Sequence, residues 1–294
     1  IDLINKIFSF PKNLNDKASS FKVLKQKKSI SQLFSAIENY SENSEIRYVG
    51  GCIRKILNNE VVDDIDFAVN LKPIECIEAL KKNNIKFYET GVDHGTITVI
   101  IDNNKFEITS LRKDLNTDGR HAKVLFSTDW HEDALRRDFT INSIYSDIDG
   151  NLYDPFDGKK DLQNGKVEFI GDVEKRIKED YLRILRYIRF FINYSKLPHS
   201  DKVKKKIKQN LKGISNISSE RLLDEFKKII NSSKFLRLFE DSFCKEIINL
   251  IFPQFKNLEI FKKLNNFAQK KIHEVDYIFI ISLMVLDNTD NVEY

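Results

Sequence analysis

The stretch YVGGCIRKILNNEVVDDIDFAVN, residues 48–70, holds a pair of glycines, an arginine and two alternating aspartates within one short segment. Its last part, DDIDFAV, alternates acidic and apolar residues with the period of two that is typical of a β-strand. Such a strand presents Asp64 and Asp66 on one face and turns its apolar residues into the core. The stretch therefore predicts a unit of mixed helix and strand that carries two neighbouring carboxylates.

Two carboxylates held this close repel each other, and a divalent cation relieves the repulsion. Hard oxygen ligands suit Mg²⁺, which completes its octahedral coordination with water and phosphate oxygens. Asp64 and Asp66 are therefore candidate metal ligands and catalytic residues. The alternative is a solvated strand face with a capping aspartate.

A third carboxylate comes from the segment KFEITSL, where Glu107 faces away from the apolar side of its own strand. If that strand lies beside DDIDFAV, Glu107 completes a cluster of three carboxylates and is a further catalytic candidate. Two metal ions about 4 Å apart in such a cluster can activate a hydroxyl and stabilise a leaving pyrophosphate. The alternative is an exposed strand glutamate.

The segment VGGCIRKIL ends a strand and opens a helix. Gly50 and Gly51 allow a tight turn and let backbone N–H groups approach a phosphate closely. Arg54, one turn into the helix, can clamp phosphate oxygens. A glycine pair alone is mostly a turn, but with the two aspartates on the next strand it predicts a triphosphate site.

Composition sets the class of protein. With 294 residues the chain has room for roughly two domains, and 41% hydrophobic residues exclude a disordered protein. A net charge of +4 permits a nucleic-acid partner without establishing one. The cysteines match no zinc spacing and no disulfide framework, which predicts buried, reduced thiols in a cytoplasmic protein. The longest apolar run, YIFIISLMVL, is too short to cross a membrane and predicts a buried helix.

The organisation of the chain changes near residue 160. Before it, the β-rich runs EIRYVGG, DIDFAV, GTITVII, KFEITSL and KVLFS alternate with helical ones, and TITVIIDNNKFEITSL predicts a hairpin around a two-asparagine turn. After it, apolar residues recur every three or four positions, which predicts helices only. In EDYLRILRYIR, three-residue steps along one predicted helix make Asp180 and Arg183 neighbours, with Arg186 and Arg189 winding away. A salt-bridged helix face is the alternative.

Several motifs follow one another in a recognisable order: GGCIR, DDIDF, FEITSLR, DGRH, RRDFTINSI, YDPFDGKKDL and KEDYLRILRYIRF. In this order they resemble the class II CCA-adding enzymes and bacterial poly(A) polymerases, nucleotidyltransferases of the polymerase β superfamily. The resemblance covers about residues 46–190, and residues 191–294 fit only as generic helices. It implies an α+β fold, in which a polymerase β-like mixed-sheet head precedes an all-helical neck and body.

The implied domains are an N-terminal extension (1–25), the catalytic head (26–160), a neck (161–231) and a partial body (232–294) whose usual tail is missing. The resemblance assigns the metal to Asp64 and Asp66, and the third acidic position to Glu107. It implies nucleotide-binding roles for Gly50, Gly51, Arg54, Arg137, Asp138, Asn142, Asp180, Arg183, Arg186 and Arg189. RRDFTIN matches a helix that in the family holds the ribose and phosphates, where Asp138 would accept a hydrogen bond from a sugar hydroxyl.

In the family, the residues matched by Asp180 and Arg183 form a template for the base. Cytosine and adenine each present an amino donor beside a ring-nitrogen acceptor, so a carboxylate and a guanidinium complement both. Uracil and guanine present the reverse order, which would leave both side chains facing the wrong partner. Unpaired buried polar groups of this kind cost about 1–3 kcal/mol each. The pair would therefore accept C and A and reject U and G.

The expected activity is Mg²⁺-dependent addition of C, C and A to the 3′ end of tRNA from CTP and ATP, with release of pyrophosphate. The lysine-rich segment HSDKVKKKIKQNLKG would neutralise tRNA phosphates, no membrane partner is expected, and the oligomeric state is left open. A CC-adding enzyme and a poly(A) polymerase are the nearest alternatives; the latter commonly carries proline where Tyr181 stands. A non-catalytic RNA-binding protein of the same fold is less compatible with three clustered carboxylates.

Overall fold

The computed structural model describes residues 17–62, 64–116 and 123–286. The DGRH motif at 118–121 and most of the predicted N-terminal extension lie outside these residues. The chain divides into two compact units: a first that runs up to Asn164 and includes Glu168–Gly171, and a second formed by Gly165–Val167 and the residues from Asp172 onward. The predicted domain boundaries at 25, 160 and 231 stay predictions.

The first unit is a mixed sheet with helices. Its strands are β1 (Ile46–Val49), β2 (Asp66–Val69), β3 (Lys86–Gly91), β4 (Thr96–Ile101), β5 (Asn104–Ser110), β6 (Arg112–Asn116), β7 (Lys123–Phe126), β8 (Tyr145–Ser146) and β9 (Leu152–Tyr153). Its helices are α1 (Lys17–Lys25), α2 (Lys28–Glu38), α3 (Gly51–Leu57), α4 (Pro73–Lys82), α5 (Trp130–Leu135) and α6 (Gly158–Asn164), with short 3₁₀ turns at Val92–His94 and Thr140–Asn142.

Seven of these strands form one sheet in the order β3-β4-β5-β2-β1-β8-β9. Strands β2 and β5 run parallel, whereas the other neighbours in this sheet are antiparallel. Strands β6 and β7 form a separate antiparallel pair. The predicted α+β fold with a mixed-sheet head is confirmed.

The predicted hairpin is present, but its turn lies one residue earlier than the two asparagines. Strands β4 and β5 pair up to Ile101 and Asn104, so the turn consists of Asp102 and Asn103. Both turn residues have positive φ, 50° and 63°. A two-residue turn of this kind requires two left-handed residues, and Asp and Asn tolerate that conformation better than most side chains.

Alternation along β1 assigns the two faces of the sheet. Tyr48 packs on one face against Phe34 and Phe67, with both ring centroids 5.2 Å away. Val49, the next residue, turns to the opposite face and joins a buried cluster with Trp130 and Ala68. Because alternate residues of a strand share a face, Asp66 lies on the same face as Ala68. The helix and turns that follow β7 therefore pack on the face that carries this carboxylate.

The described part of the second unit contains helices and 3₁₀ turns but no strand. Its helices are α7 (Val173–Glu179), α8 (Arg183–Tyr194), α9 (Asp201–Asn210), α10 (Ser219–Ile230), α11 (Arg237–Glu240), α12 (Ser242–Ile251), α13 (Asn266–Lys271) and α14 (Tyr277–Val285), and its 3₁₀ turns are Leu211–Asn216, Leu258–Lys262 and Ile272–Glu274. The predicted change from strands to helices is confirmed. The prediction of one continuous helix through EDYLRILRYIR is wrong, because Asp180 is extended (φ −156°) and separates α7 from α8.

The apolar run YIFIISLMVL forms a helix, as expected, but the helix is not buried throughout. Ile278 is 59% exposed and Phe279 55% exposed, while Ile280 and Met284 are buried. Among the described residues, no helix is long and apolar enough to cross a membrane. The three cysteines are free and buried, as predicted.

Candidate active site

The three predicted carboxylates lie around the start of β2 and in the middle of the adjacent parallel strand β5. Strand β2 begins at Asp66, which pairs in register with Glu107 of β5, so the predicted neighbourhood of these strands is confirmed. Asp64 is exposed and precedes the strand, whereas the sequence predicted that the strand already included it. Glu107 is 48% exposed, and its carboxylate lies 3.6 Å from Lys105 Nζ.

Asp66 is the half-buried member of this group, which we call the carboxylate cluster (Asp64, Asp66 and Glu107). Burial, followed by the charges of Asp64 and Glu107, raises the pKa of Asp66 to about 6, while Arg137 opposes the rise. The oxygens of the three carboxylates are not all within 4.8 Å of one another. A hard, oxygen-only donor set with accumulated negative charge nevertheless fits a divalent cation, which would offset the repulsion.

The predicted glycine turn lies between β1 and α3. Gly50 is the N-cap residue of α3 and has φ 69° and ψ −116°, a conformation that strains any residue with a Cβ atom. A Cβ at Gly50 would lie 3.7 Å from Arg137 Nη1. Gly51 is the first residue of the helix. The turn thus brings the backbone of the glycine pair close to an arginine of the RRDFTIN motif.

Three predicted nucleotide-binding residues form one buried polar chain. Arg54 Nη1 donates to Asn142 Oδ1, and Asn142 Nδ2 donates to Asp138 Oδ1 over 2.9 Å. Asp138 Oδ1 also accepts the Phe139 backbone N–H at 2.9 Å. All three residues of the chain are at most 7% exposed. The fold therefore connects the glycine-turn helix to the RRDFTIN motif through specific hydrogen bonds.

The resemblance implied a helix at the RRDFTIN motif (136–142), but the motif instead follows α5 and ends in the 3₁₀ turn Thr140–Asn142. The YDPFDGKKDL motif supports this turn. Asp154 accepts the backbone N–H groups of Gly158 and Lys159 at 2.8 Å and caps α6. A Cβ at Gly158 would overlap the Thr140 carbonyl oxygen, so only glycine allows the close approach. Thr140 Oγ1 donates to Asp161 at 2.7 Å.

Asp133 organises this region, although sequence reasoning did not select it. It is 1% exposed and lies 2.7 Å from Arg136 Nη2 and 3.0 Å from Arg137 Nη2. Tyr145 Oη donates to it at 2.7 Å. Burial is the largest single influence and opposes ionisation, but Arg137, Arg136 and Tyr145 together outweigh it and hold the pKa of Asp133 below its usual range.

We expect Asp133→Asn to destabilise the protein by about 3–5 kcal/mol at neutral pH, because it removes a buried anion and leaves the half-buried Arg136 and Arg137 without their partner. A carboxylate with a lowered pKa stabilises the fold above its unfolded pKa of about 3.9, and this stabilisation is lost as the pH falls further. The difference between wild type and variant in denaturant unfolding should therefore be constant from neutral pH to about pH 5 and shrink below about pH 4. A difference that does not vary with pH would contradict ionisation of Asp133.

The residues predicted to select the base lie in the second unit. Asp180 follows α7, accepts the Leu182 N–H at 3.1 Å, and accepts Arg221 Nη2 at 2.8 Å on its other oxygen. Arg183 begins α8, and its Nη1 donates to Glu179 Oε2 at 2.7 Å and to the Arg176 carbonyl at 2.8 Å. The prediction that Asp180 and Arg183 lie on one helix is therefore wrong. The two residues flank the break between α7 and α8.

Arg186 and Arg189 approach a different carboxylate. Arg189 Nε donates to Glu225 Oε1 at 2.6 Å, and Arg186 Nη1 lies 4.0 Å from Glu225 Oε2. Glu225 belongs to α10 and is only 2% exposed. These contacts join α8 to α10, so the two arginines contribute to helix packing in the second unit. Neither Glu225 nor Arg221 carries a sequence signal, because their partners are distant along the chain.

Two family models match the chain. The model described as "Poly A polymerase head domain" matches residues 46–168, and the model described as "Probable RNA and SrmB- binding site of polymerase A" matches residues 200–258. The first match covers the carboxylate cluster, the glycine turn and the RRDFTIN motif. The second covers α9, α10, α11 and α12.

Named relatives agree with these matches. CCA tRNA nucleotidyltransferase 1, mitochondrial, of Mus musculus is 42% identical over 244 residues, which are 81% of this chain and 55% of the relative. The CCA-adding enzyme of Lactobacillus johnsonii is 34% identical over 228 residues, 75% of this chain and 56% of the relative. The chain thus spans about half the length of these relatives.

Solved structures share the fold. A tRNA nucleotidyltransferase complexed with a primer tRNA and an incoming ATP analog matches with a TM-score of 0.70 and 25% identity, over 88% of this chain and 76% of that one. The Bacillus stearothermophilus CCA-adding enzyme in complex with CTP matches with a TM-score of 0.65 and 22% identity, over 88% and 69%. The chain belongs to the family of CCA-adding enzymes and poly(A) polymerases, nucleotidyltransferases of the polymerase β superfamily.

Proposed function

We propose that the chain adds C, C and A to the 3′ end of tRNA, with CTP and ATP as substrates and pyrophosphate as the second product. The observation that carries this proposal is the register of β2 and β5, which sets Asp66 opposite Glu107. The polar chain from Arg54 to Asp138 lies in the same unit and supplies groups suited to phosphate and ribose. The names of the relatives support the choice of tRNA as the acceptor.

Members of this family use divalent metal ions. We propose Mg²⁺ here, because the carboxylate cluster offers only hard oxygen ligands. Asp64 and Asp66 would hold the ion and Glu107 would complete the charge balance. When bound, such an ion supplies activation of the 3′-hydroxyl and neutralises the charge that develops on the departing pyrophosphate.

The residues around the glycine turn would hold the triphosphate. Arg54 and the backbone N–H of Gly51 would orient phosphate oxygens, while Gly50, whose N–H donates to the Ile144 carbonyl at 3.4 Å, would shape the turn. Arg137 would contribute positive charge, and its contact with Asp133 fixes the direction of its guanidinium. Asp138 would accept a hydrogen bond from a ribose hydroxyl, a group that deoxyribonucleotides lack at the 2′ position. These groups position the nucleotide for in-line attack.

Asp180 and Arg183 would read the base edge. Asp180 would accept a hydrogen bond from the amino group of cytosine or adenine, and Arg183 would donate to the adjacent ring nitrogen. The capping bond from Leu182 and the contact with Arg221 orient the Asp180 carboxylate without using all the acceptor positions that its two oxygens offer. Arg221 is therefore a positioning residue for base selection.

A poly(A) polymerase is the second candidate, because the matching head model carries that description. The two activities differ in products. An enzyme that adds CCA incorporates CTP first and adds a single A, whereas a poly(A) polymerase extends with ATP alone.

The test uses tRNA that lacks its CCA end, offered with each of the four labelled nucleotides in turn. The proposal predicts incorporation of CTP alone on this acceptor, and of ATP only on tRNA that already ends in CC. Repeated incorporation of ATP alone on the first acceptor would favour the poly(A) polymerase. No incorporation of any nucleotide, with a folded protein and Mg²⁺ present, would contradict both.

Helix α9 would contact tRNA phosphates. Lys202 and Lys205 are exposed on this helix. We expect Lys202→Gln together with Lys205→Gln to weaken tRNA binding and to reduce the slope of log affinity against log salt by about two, one for each phosphate contact. The matched control is the pair Lys81→Gln and Lys82→Gln on α4, which should leave the slope unchanged. Equal slopes for wild type and the α9 variant would exclude these contacts.

A cytoplasmic location is part of the proposal. The three free, buried cysteines support a reducing compartment. The relative from Mus musculus carries the word mitochondrial in its name. Cell fractionation with an antibody to the protein distinguishes the two compartments.

A further inference from the structure

A histidine, an aspartate and a cysteine converge at the start of α12 in the second unit. Asp241 is the N-cap residue of this helix, Cys244 lies in its first turn, and His199 lies in the connection between α8 and α9. His199 Nε2 lies 3.0 Å from Asp241 Oδ1 and 3.7 Å from Cys244 Sγ. Among the residues whose side chains the structure describes, no other three histidine, cysteine or acidic ligand atoms come within 4.8 Å of one another.

These distances suit a tetrahedral zinc ion. Zinc binds sulfur at about 2.3 Å and nitrogen or oxygen at about 2.0–2.2 Å, which places ligand atoms about 3.3–3.7 Å apart. The separation of 3.7 Å between Nε2 and Sγ lies within this range, whereas the separation of 3.0 Å between Nε2 and Oδ1 is shorter, so coordination requires Asp241 Oδ1 and His199 Nε2 to move a few tenths of an ångström apart. Cys244 is fully buried, the His199 side chain is 6% exposed and that of Asp241 is 30% exposed. The cluster is thus shielded on the cysteine side and open to solvent at the aspartate.

The histidine ring is held by its other nitrogen and by its faces. His199 Nδ1 lies 2.9 Å from Tyr187 Oη, and the ring stacks on Phe191 with centroids 3.5 Å apart. Phe243 contacts the ring edge at 4.7 Å between centroids. A metal-bound histidine usually donates its second ring N–H to a fixed acceptor, and Tyr187 is placed to accept it.

A catalytic cysteine–histidine arrangement does not fit the same geometry. In a nucleophilic triad the carboxylate and the nucleophile contact different ring nitrogens. Here Asp241 and Cys244 both face Nε2, while Nδ1 faces a tyrosine. Three different ligand atoms instead lie within 4.8 Å of one another, as in a metal centre, and Asp241 Oδ1 also accepts the Cys244 backbone N–H at 2.8 Å.

We propose that His199, Asp241 and Cys244 bind a zinc ion, with water as the fourth ligand on the exposed side of Asp241. On binding, Cys244 loses its proton to solvent and its sulfur coordinates the metal, as do Nε2 and a carboxylate oxygen. The ion ties the start of α12 to the connection between α8 and α9. It is separate in ligand chemistry from the oxygen-only carboxylate cluster, and it does not depend on the proposed activity.

The test titrates the complete, chelator-treated protein with Co²⁺, whose spectrum reports its ligands. We expect one equivalent to produce a sulfur-to-cobalt charge-transfer band that Zn²⁺ abolishes by displacement, and Zn²⁺ to raise the unfolding temperature. The Cys244→Ala variant should lose the band and show a smaller rise in unfolding temperature, because Zn²⁺ can still occupy the carboxylate cluster. The matched control is Cys76→Ala, which removes an equally buried thiol from α4 and should keep both effects. Cobalt in the carboxylate cluster would give no sulfur band.

X-ray absorption of the zinc-loaded wild type needs no variant and should show one sulfur among nitrogen and oxygen ligands. Absence of the sulfur band from the wild type, or a sulfur-free zinc shell, would overturn the proposal. An unchanged band in Cys244→Ala would overturn it as well, since the sulfur would then come from another cysteine. Each of these outcomes would mean that His199, Asp241 and Cys244 form only a hydrogen-bonded packing cluster.

Discussion

Replacing Asp66 with asparagine should reduce nucleotide incorporation by at least about 1,000-fold, because several kcal/mol of charge stabilisation in the transition state depend on the metal that this carboxylate would hold. Asp64→Asn should have a comparable effect. The measurement is single-turnover incorporation of CTP into tRNA that lacks CCA. Glu89→Gln is the matched control, since it removes an exposed carboxylate from β3 of the same sheet and should change the rate little.

The same variant separates a functional from a structural role for Asp66. Burial and two neighbouring carboxylates raise its pKa to about 6, so its ionised form costs stability at neutral pH. With a chelator present, Asp66→Asn should therefore unfold at a temperature no lower than that of the wild type. An unfolding temperature several degrees lower, or activity within tenfold of the wild type, would contradict the metal-binding role.

Replacing Asp180 with alanine should relax nucleotide choice. Uracil presents a carbonyl where cytosine presents an amino group, and without Asp180 that carbonyl no longer meets a negative charge. The loss of one mismatch is worth about 1–3 kcal/mol, so discrimination between CTP and UTP should fall by roughly 5- to 150-fold. CTP use should also weaken, because its amino group loses an acceptor. Arg183→Ala should instead depress CTP and ATP use together.

The controls lie in the same unit. Asp224→Ala removes an exposed aspartate from α10 and should leave the ratio unchanged. Arg221→Gln should relax the ratio less than Asp180→Ala, because the carboxylate stays while one of its orienting contacts is weakened. A wild-type ratio of CTP to UTP use in Asp180→Ala would mean that Asp180 only joins α7 to α10 and that the base is selected elsewhere.

The sequence predicted the features of the first unit that depend on short-range patterns. Alternation of acidic and apolar residues identified β2 and β5, and their adjacency followed once Glu107 was taken as the third carboxylate. Positive φ at Gly50 agrees with the predicted glycine turn. The turn of the hairpin lies one residue earlier than predicted, because Asp102 and Asn103 adopt the two left-handed conformations as well as two asparagines would.

What could not be predicted depends on contacts between distant residues. The break at Asp180 interrupts a sequence with helical periodicity, and it is stabilised by Arg221, 41 residues away. In the sequence Asp133 looks like an ordinary carboxylate near the end of a helix. Its role depends on its contacts with Tyr145, Arg136 and Arg137 in the folded protein. The cluster of His199, Asp241 and Cys244 has no metal-site spacing, because its histidine comes from a separate connection.

The most direct measurement is the sequence of tRNA 3′ ends after incubation of CCA-less tRNA with the protein, Mg²⁺ and all four nucleotides. If the carboxylate cluster supports activation of the 3′ end and the base template accepts only C and A, the products should end in CCA. Little U or G should be present at any added position. Products that carry long A tails, added U or G in proportion to supply, or no addition at all would contradict the assignment of this chain as a CCA-adding nucleotidyltransferase.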